Sequence, residues 1–296
     1  MNRTAETETT ARQVTASRDD ASVDTPSLSG HVDARPVAHR PLAGRCAVVT
    51  GGSGAIGASI VASLAARGAD VVVVYARSRQ EAEAAAEHAR QHGVRAMSVQ
   101  ANLAEEARIH SLVRAVRDEF GRLDILVSGA VSGRMRSAMS LDSRGLQHAL
   151  DVNVRALLIL AQLATPMMKR AGWGRMVALS SMGADRVLPD YAGLGASKAA
   201  LESMVRYLAV ELAPHGITAN TVSASVVETP ALDHFGDPQV VVSETLSRTP
   251  SRRLPSSADV AGAVAFLCSD DAAMVQGQTL LVDGGYSLVA TSSPLP

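Results

Sequence analysis

The sequence has few cysteines, no excess of charge and no long apolar run, and each absence excludes a class of protein. Cys46 and Cys268 are the only two cysteines in 296 residues, which argues against a disulfide scaffold and favours a reducing, cytoplasmic location. Lys and Arg number 28 against 29 Asp and Glu, so there is no electrostatic reason to expect a nucleic-acid partner. No apolar run approaches the roughly 18–20 residues of a membrane span, so we expect no membrane insertion.

The first 40 residues lack Ile, Phe, Tyr and Trp and contain a single Leu. Such a segment buries too little apolar surface to offset its ordering entropy, so the sequence predicts a disordered N-terminal tail over residues 1–40. It has neither the apolar run of a secretory signal nor the acid-poor composition of a transit peptide. One domain is predicted over residues 41–290, followed by a short C-terminal tail, 291–296.

From Arg45 onward, apolar segments alternate with stretches of helical periodicity. The predicted strands are 46–50, 70–75, 94–99, 123–128, 175–181, 217–223 and 279–282. The predicted helices are 56–67, a segment ending near 92, 105–120, 146–171, a segment ending near 214, and 257–268. This alternation predicts an α/β fold with a single Rossmann-type, doubly wound parallel sheet between two helical layers. Ligands bind at the carboxyl ends of the strands in this class.

Residues 229–256 form the longest segment without periodicity, and they include Phe235. A long irregular connection in a compact domain is often functional, so we expect this segment to form a lid over the substrate. A loop that is merely mobile is the alternative.

A glycine-rich segment, Thr50–Gly57, lies between the first strand and the first helix. Glycines there let the backbone approach a pyrophosphate, whose charge is favoured at a helix N-terminus. A tight turn without a ligand is the alternative. The predicted cofactor-binding residues of this loop are Gly51, Ser53, Gly54, Ile56 and Gly57.

This segment resembles the Thr-Gly-x-x-x-Gly-x-Gly signature of the short-chain dehydrogenase/reductases, with Ala55 in place of the second glycine of the pattern. The resemblance implies a nicotinamide dinucleotide. The second strand ends in Tyr75-Ala-Arg-Ser78, without the acid typical of NAD sites, so Arg77 and Ser78 are candidates to bind the 2′-phosphate of NADPH. A solvated arginine is the alternative.

Further cofactor contacts are implied by position in the family pattern. Asn102 and Leu103 stand where the family has an Asp-Val pair beside the adenine. Ser128-Gly-Ala130 replaces the family's Asn-Asn-Ala, so two Asn side chains are missing there. The other expected contacts are Gly129 and Thr229.

A tyrosine and a lysine follow the fifth strand with unusual spacing. Most family members place Tyr four residues before the Lys, but Leu194 occupies that position and Tyr191 lies seven residues before Lys198. Positions i and i+7 share a helix face, so the ring is displaced by up to one turn, roughly 4.5 Å, if the segment is helical. Such a phenol suits an enoyl thioester, since conjugate hydride addition places negative charge on an oxygen two carbons from the carbon attacked.

The Tyr-x6-Lys spacing resembles the divergent enoyl reductases of this family, in particular the type III NADPH-dependent enoyl-[acyl-carrier-protein] reductases, over about residues 44–290. The resemblance implies that Tyr191 stabilises the enolate and that Lys198 binds the nicotinamide ribose and supports Tyr191. The alternatives are a tyrosine that anchors a helix start beside Pro189 and an ordinary surface lysine.

Two further residues complete the candidate catalytic group. Ser181 lies where family ketoreductases hold the substrate carbonyl, and a strand-end cap is an equal alternative. Asn153 matches a family Asn that bonds backbone and orders a water near the Lys, and a satisfied core amide is its alternative.

The expected substrate is an acyl thioester on acyl carrier protein or coenzyme A, in fatty-acid or polyketide metabolism, and the resemblance implies a homotetramer or homodimer. Two other functions remain open, a ketone or 3-ketoacyl reductase and a non-catalytic NADP-binding sensor. His88 and His92 have metal-ligand spacing but no evident third ligand, so no metal is expected. The candidate cations for an anionic carrier are Arg134, Arg136, Arg252 and Arg253.

Overall fold

The computed structural model describes residues 40–230, 232 and 237–290. Seven strands form one parallel sheet: β1 Cys46–Thr50, β2 Asp70–Tyr75, β3 Ala96–Gln100, β4 Ile125–Ser128, β5 Gly174–Ser181, β6 Ile217–Ala224 and β7 Thr279–Val282. Their order is β3-β2-β1-β4-β5-β6-β7, so the chain reverses direction across the sheet between β1 and β4. This confirms the predicted doubly wound fold and places its switch point at the end of β1.

Within the part of the chain that the structure describes, eight α-helices flank the sheet: α1 Ala55–Ala66, α2 Arg79–Arg90, α3 Glu106–Phe120, α4 Ser143–Leu150, α5 Ala156–Ala171, α6 Ala192–Leu212, α7 Pro238–Arg248 and α8 Ser257–Leu267. One apolar layer packs α3, α5 and α6 against the sheet, and the other packs α1, α2 and α8 against its opposite face. Buried valines of β1 and β2 alternate between these layers, which is why both strands are apolar throughout.

Helix α4 continues into α5 through a π-helical turn, Asp151–Arg155. The predicted helix 146–171 therefore begins three residues earlier than expected, after Asp142, whose carboxylate accepts a hydrogen bond from the Gly145 amide at 2.6 Å. By length and composition, Ser143–Ala171 could cross a membrane, but half of its most apolar window is buried inside the protein, as in a core helix.

The segment predicted to be irregular contains helix α7, so that prediction was wrong in part. Asp237 caps the helix by accepting from the Gln239 amide at 3.0 Å, and Pro238 occupies its first position. Helix α7 buries little of its surface, which explains why its sequence shows no clear apolar period. The two predicted tails apart from Arg40, together with Phe235 of the predicted lid, lie outside the described residues.

Both cysteines are free and buried, Cys46 in β1 and Cys268 directly after α8. Burial raises the pKa of each thiol to about 12, so both remain protonated at neutral pH. Neither group is available as a thiolate nucleophile. Among the described residues no group of three or more His, Cys, Asp or Glu side chains is arranged to hold a metal ion.

Candidate active site

A cleft of about 1990 Å³ lies over the carboxyl ends of the strands, on both sides of the switch point. The sequence-predicted residues that line it are Gly51, Ser53, Gly54, Ile56, Gly57, Arg77, Ser78, Asn102, Leu103, Gly129, Ser181, Tyr191, Lys198 and Thr229. Asn153 is buried outside the lining. The fold therefore brings together residues that are distributed over some 180 positions of the chain.

The glycine-rich loop is compact enough to leave no room for side chains at two positions. Gly51 has φ +70°, and a Cβ there would lie 2.9 Å from the Ala130 amide nitrogen. A Cβ on Gly57 would overlap the Gly51 carbonyl oxygen. Gly54 caps α1, and Ala55, where the sequence departs from the pattern, is exposed at the first turn. The loop thus presents bare backbone and a helix N-terminus, which fits a pyrophosphate.

Thr50 ties this loop to β4 and was not identified as a site residue from the sequence. Its hydroxyl accepts hydrogen bonds from the amides of Gly129 (3.0 Å) and Ala130 (3.1 Å) and donates to the Val127 carbonyl at 3.4 Å. The position of Thr50 directly before the first glycine was the available signal. Its role is to fix the two sides of the switch point relative to each other.

The β2 and β3 end of the cleft carries a cation and no acid. Arg77 is exposed after β2, and Ser78 is the N-cap residue of α2. The Asn102 amide donates to Glu105 at 2.7 Å, and its oxygen accepts from the Ala104 amide at 3.2 Å. Asn102 therefore shapes the start of α3 while it lines the cleft.

The cleft as a whole is cationic. Among the described lining residues, Asp142 is the only carboxylate, and it is engaged as the cap of α4. The basic lining residues are Arg77, Arg134, Arg136, Arg144 and Lys198. This charge distribution favours a polyanionic ligand.

Tyr191, Ser181 and Lys198 all line the cleft near the end of β5. The Tyr191 hydroxyl is hydrogen-bonded to Ser181, and burial raises the pKa of the phenol whereas that hydrogen bond lowers it. Lys198 donates to the Leu179 carbonyl at 2.7 Å. Burial lowers the pKa of this lysine to about 8, although the Glu202 carboxylate acts in the opposite direction. Ser181 also accepts from the Gly183 amide at 3.2 Å, so it serves as a strand-end cap as well.

Tyr191 is not on the helix as expected, because α6 begins at Ala192. Asp190 precedes it with φ +55°, a conformation that Asp tolerates better than most residues. The Arg136 amide donates to the Asp190 carbonyl at 2.6 Å and forms a β-bridge with Tyr191. The ring position is therefore set by a turn and by a loop from another part of the chain.

The ring of Tyr191 also depends on the glycine beneath it. A Cβ on Gly183 would lie 2.5 Å from the Tyr191 Cδ1 atom. Leu194, which occupies the usual tyrosine position, lines the cleft and packs against Gly133. An apolar side chain thus stands where most family members carry a phenol.

Asn153 lies in the π-helical turn with its amide group satisfied. Its oxygen accepts from the Ser132 amide at 2.9 Å, and its nitrogen donates to the Ser132 carbonyl at 3.1 Å and to the Ser197 hydroxyl at 2.8 Å. Asn153 thereby joins the loop after β4 to the helix that carries Lys198. These hydrogen bonds are those expected of a satisfied core amide, and the catalytic role of Asn153 stays a prediction.

Two neighbouring residues of the cleft were not identified from the sequence. The Ser132 hydroxyl lies 2.9 Å from His148 Nε2, and both side chains line the cleft. A single His on a polar helix and a single Ser in a loop give no sequence signal. Only the tertiary structure brings them together.

The predicted entrance cations divide into two groups. Arg134 and Arg136 line the cleft, whereas Arg252 and Arg253 are absent from its lining. Arg253 instead binds the Asp259 carboxylate, which holds the pKa of that carboxyl well below its usual range. Pro230 and Leu232, at the start of the predicted lid, also line the cleft. His88 and His92 are exposed on and just after α2, with their rings edge to face at 5.4 Å.

Comparison with known proteins agrees with this geometry. A family model described as enoyl-(acyl carrier protein) reductase matches residues 51–287. A 1-cyclohexenylcarbonyl-CoA reductase from Streptomyces collinus is 37% identical over 245 residues, which are 82% of this chain and 87% of that protein. A 3-oxoacyl-[acyl-carrier-protein] reductase from Staphylococcus aureus is 34% identical over 241 residues, 81% of this chain and 97% of that protein.

A solved structure shows the same fold with a nucleotide. A short-chain dehydrogenase from Burkholderia cenocepacia in complex with NADP superposes with a TM-score of 0.76 at 34% identity. The match covers 83% of this chain and 99% of the other.

Proposed function

We propose that this chain, which belongs to the short-chain dehydrogenase/reductase family, catalyses the NADPH-dependent reduction of the 2,3 double bond of an enoyl thioester. The proposal depends on one observation: a leucine stands where most family members carry the tyrosine, and the tyrosine lies three residues earlier in the chain. Leu194 stands four residues before Lys198, and Tyr191, directly before the first turn of α6, lines the cleft. The family model and the Streptomyces collinus relative, both described as reductases of enoyl-type thioesters, support it.

The displaced phenol suits the charge that develops in this reaction. When bound, the nicotinamide supplies a hydride, which in conjugate addition arrives at Cβ. The electron pair of the double bond moves toward the thioester oxygen, and Tyr191 donates a hydrogen bond to that oxygen. Leu194 has no donor with which to do so. Lys198 is the proposed ligand of the nicotinamide ribose and the proposed support of the phenol, and its hydrogen bond to the Leu179 carbonyl holds its ammonium group in the cleft wall.

NADPH is the proposed cofactor because the cleft fits it. Bare backbone at Gly51 and Gly57 makes room for the pyrophosphate, and Arg77 with Ser78 supplies cation and hydroxyl where a 2′-phosphate would bind. We expect Arg77→Ala to raise the KM for NADPH about tenfold and to leave the KM for NADH nearly unchanged. Steady-state kinetics with both nucleotides measure this. Equal loss with both would contradict recognition of the 2′-phosphate by Arg77.

A second candidate is reduction of a 3-ketoacyl thioester. The hydrogen bond between Tyr191 and Ser181 favours it, because the two hydroxyls together could bind a ketone oxygen. The Staphylococcus aureus relative is named for that reaction. A third candidate is a non-catalytic NADP-binding sensor. It has less support, because a phenol and a lysine, which a sensor would not need, both line the cleft.

The deciding experiment measures NADPH oxidation with three thioesters: crotonyl-CoA, 1-cyclohexenylcarbonyl-CoA and acetoacetyl-CoA. Turnover with either enoyl compound that exceeds turnover with acetoacetyl-CoA by at least tenfold in kcat/KM supports enoyl reduction. Oxidation with the keto compound alone overturns it in favour of ketoreduction. NADPH binding without turnover of any enoyl thioester, including acyl-carrier-protein forms, favours the sensor.

The proposed setting is a cytoplasmic enzyme of acyl metabolism. The cationic cleft suits the phosphates of coenzyme A or of an acyl carrier protein. A homotetramer or homodimer is proposed because Leu280 and Leu281 of β7 are exposed at the edge of the sheet, with Phe266 of α8 also exposed. Light scattering of the purified chain measures the assembly.

A further inference from the structure

We propose that Ser132 and His148 form a proton relay that delivers the proton to Cα of the substrate. The inference rests on the proposed enoyl reduction and extends it, because that reaction needs two donors at two atoms. One stabilises charge on the thioester oxygen, and the other places a proton on carbon. Tyr191 supplies the first, and the Ser132–His148 pair is a separate donor in the same cleft.

The two donors lie on different walls of the cleft. Tyr191 sits beside Ser181 at the end of β5. Ser132 follows β4, and the adjacent Gly133 packs against Leu194, which lies in the first turn of α6, three residues after Tyr191. A substrate bound over Leu194 thus has the Tyr191 hydroxyl near the end of β5 and the Ser132 hydroxyl in the loop after β4. Two separated donors suit an enolate, whose oxygen and Cα are also separated.

Ser132 is held more firmly than an ordinary loop residue. The Asn153 side chain binds both its amide nitrogen and its carbonyl oxygen, at 2.9 and 3.1 Å. Asn153 also binds Ser197, the residue before Lys198. The loop after β4 is therefore fixed relative to α6, and Asn153 acts as a positioning residue for the relay.

His148 is suited to be the proton source. His148 is the only imidazole among the described residues that line the cleft, and the ring nitrogens of an imidazole can both donate and accept a proton. Its Nε2 atom lies 2.9 Å from the Ser132 hydroxyl, and the side chain is exposed. Solvent can therefore restore the proton after each turnover.

The proton passes from His148 through the Ser132 hydroxyl to Cα of the substrate. After the hydride has reached Cβ, the enolate electron pair forms a bond between Cα and the Ser132 hydroxyl proton. The Ser132 oxygen takes the Nε2 proton of the His148 imidazolium, and the thioester carbonyl is restored. One negative and one positive charge disappear, and His148 is left neutral until it gains a proton from water.

Other titratable groups around the relay must be separated from it in any pH measurement. Lys198, with a pKa of about 8, and Tyr191 line the same cleft. The charged groups around His148 are Arg134 and Arg136 on the loop after β4, Asp142 and Arg144 at the start of α4, and Asp151 and Arg155 in the π-helical turn. All of these are retained when His148 alone is replaced, so the comparison with wild type isolates the imidazole.

The experiment uses crotonyl-CoA in D₂O with wild type, His148→Gln, Ser132→Ala and the control His88→Gln, which makes the same change on exposed helix α2. NMR of the product measures the stereochemistry of deuterium at Cα. We expect wild type and the control to give one epimer. Both relay variants should give a mixture of epimers, with kcat at pH 7 reduced about 10²-fold.

NADPH affinity, measured by nucleotide fluorescence, should be the same in all four proteins. The pH profile of kcat should also differ between wild type and His148→Gln. A relay variant that retains a single epimer overturns the proposal, whatever its kcat, because the proton then has another fixed source. If His148→Gln loses NADPH binding through misfolding, the Ser132→Ala result decides between these outcomes.

Failure of the proposed enoyl reduction can be distinguished from failure of the Ser132–His148 relay. If wild type reduces acetoacetyl-CoA and not crotonyl-CoA or 1-cyclohexenylcarbonyl-CoA, both proposals fall. If wild type reduces an enoyl thioester and the relay variants behave as wild type, the relay alone falls.

Discussion

The ammonium of Lys198 is buried at the end of β5, where it donates to the Leu179 carbonyl and lies near the Glu202 carboxylate. Tyr191 is also buried and lines the same cleft, with its hydroxyl hydrogen-bonded to Ser181. Both groups line the same cleft, but we propose different roles for them. The phenol is proposed to stabilise negative charge on the substrate, and the lysine is proposed to bind the cofactor and support the phenol. Their substitutions should therefore differ in kind.

Tyr191→Phe should reduce kcat about 10²–10³-fold and leave NADPH affinity unchanged, because it removes one donor to the developing oxyanion. Lys198→Ala should weaken NADPH binding and reduce kcat together. Steady-state kinetics and fluorescence titration measure these effects, with Tyr207→Phe, on the exposed face of α6, as the control. Equal loss of cofactor affinity in the Tyr191 and Lys198 variants would argue against the separate roles.

The pKa of Lys198, lowered to about 8 by burial, predicts a pH dependence of cofactor binding. Below pH 8 the group is a cation, and as the pH rises through 8 it loses its charge while arginine would keep it. NADPH affinity should therefore fall several-fold between pH 7 and 9 in wild type and stay nearly constant in Lys198→Arg. Fluorescence titration across this range measures it. A pH-independent affinity in wild type would mean that the ammonium charge does not contribute to binding.

At the scale of elements, the start of α6 is shaped by its neighbours more than by its own sequence. The helix begins at Ala192, after a left-handed Asp190 that is hydrogen-bonded to the loop after β4. The short helical turn that follows β5, Met182–Ala184, packs against the Tyr191 ring at Gly183. The phenol is thus placed by three elements that converge on one turn.

Gly183→Ala should displace the Tyr191 ring, since the new methyl would lie about 2.5 Å from Cδ1. We expect kcat to fall at least tenfold and NADPH affinity to change little, because the phosphate loop is on the other side of the switch point. Gly262→Ala, in α8, where a Cβ meets no atom within 4 Å, is the matched control. Wild-type kcat in Gly183→Ala would show that the ring has room that the structure does not show.

At the scale of the whole molecule, the two ends of the sheet have different tasks. The carboxyl ends carry the cleft, and the amino ends carry a buried carboxylate. Asp124 is 1% exposed, accepts from the Cys46 amide at 2.8 Å and receives two hydrogen bonds of 2.7 Å from Arg122. This group joins β1 to the start of β4 far from the cleft residues.

Asp124→Ala should lower the free energy of unfolding by about 3 kcal/mol, because it leaves a buried amide and a guanidinium without their acceptor. The kcat and KM of the folded fraction should stay close to wild type. Urea unfolding followed by circular dichroism measures the stability. Asp118→Ala, which removes an exposed ion pair with Arg117, should change it by less than about 0.5 kcal/mol. A large loss of activity in folded Asp124→Ala would contradict the separation of the two ends.

The sequence by itself determined the alternation of strands and helices, the glycine loop and the Tyr-Lys spacing. These features are local: period, turn residues and short motifs depend on neighbours along the chain. It missed α7 because that helix buries little surface and so has no apolar period. It also placed Tyr191 on a helix that begins one residue later.

The tertiary structure alone decided which distant side chains meet. It gave Thr50 its bonds to Gly129 and Ala130, paired Ser132 with His148 and removed Arg253 from the cleft. The residues joined by these hydrogen bonds lie 6 to 80 positions apart in the chain. They depend on how the loops after parallel strands converge at one edge of the sheet, which no local pattern encodes.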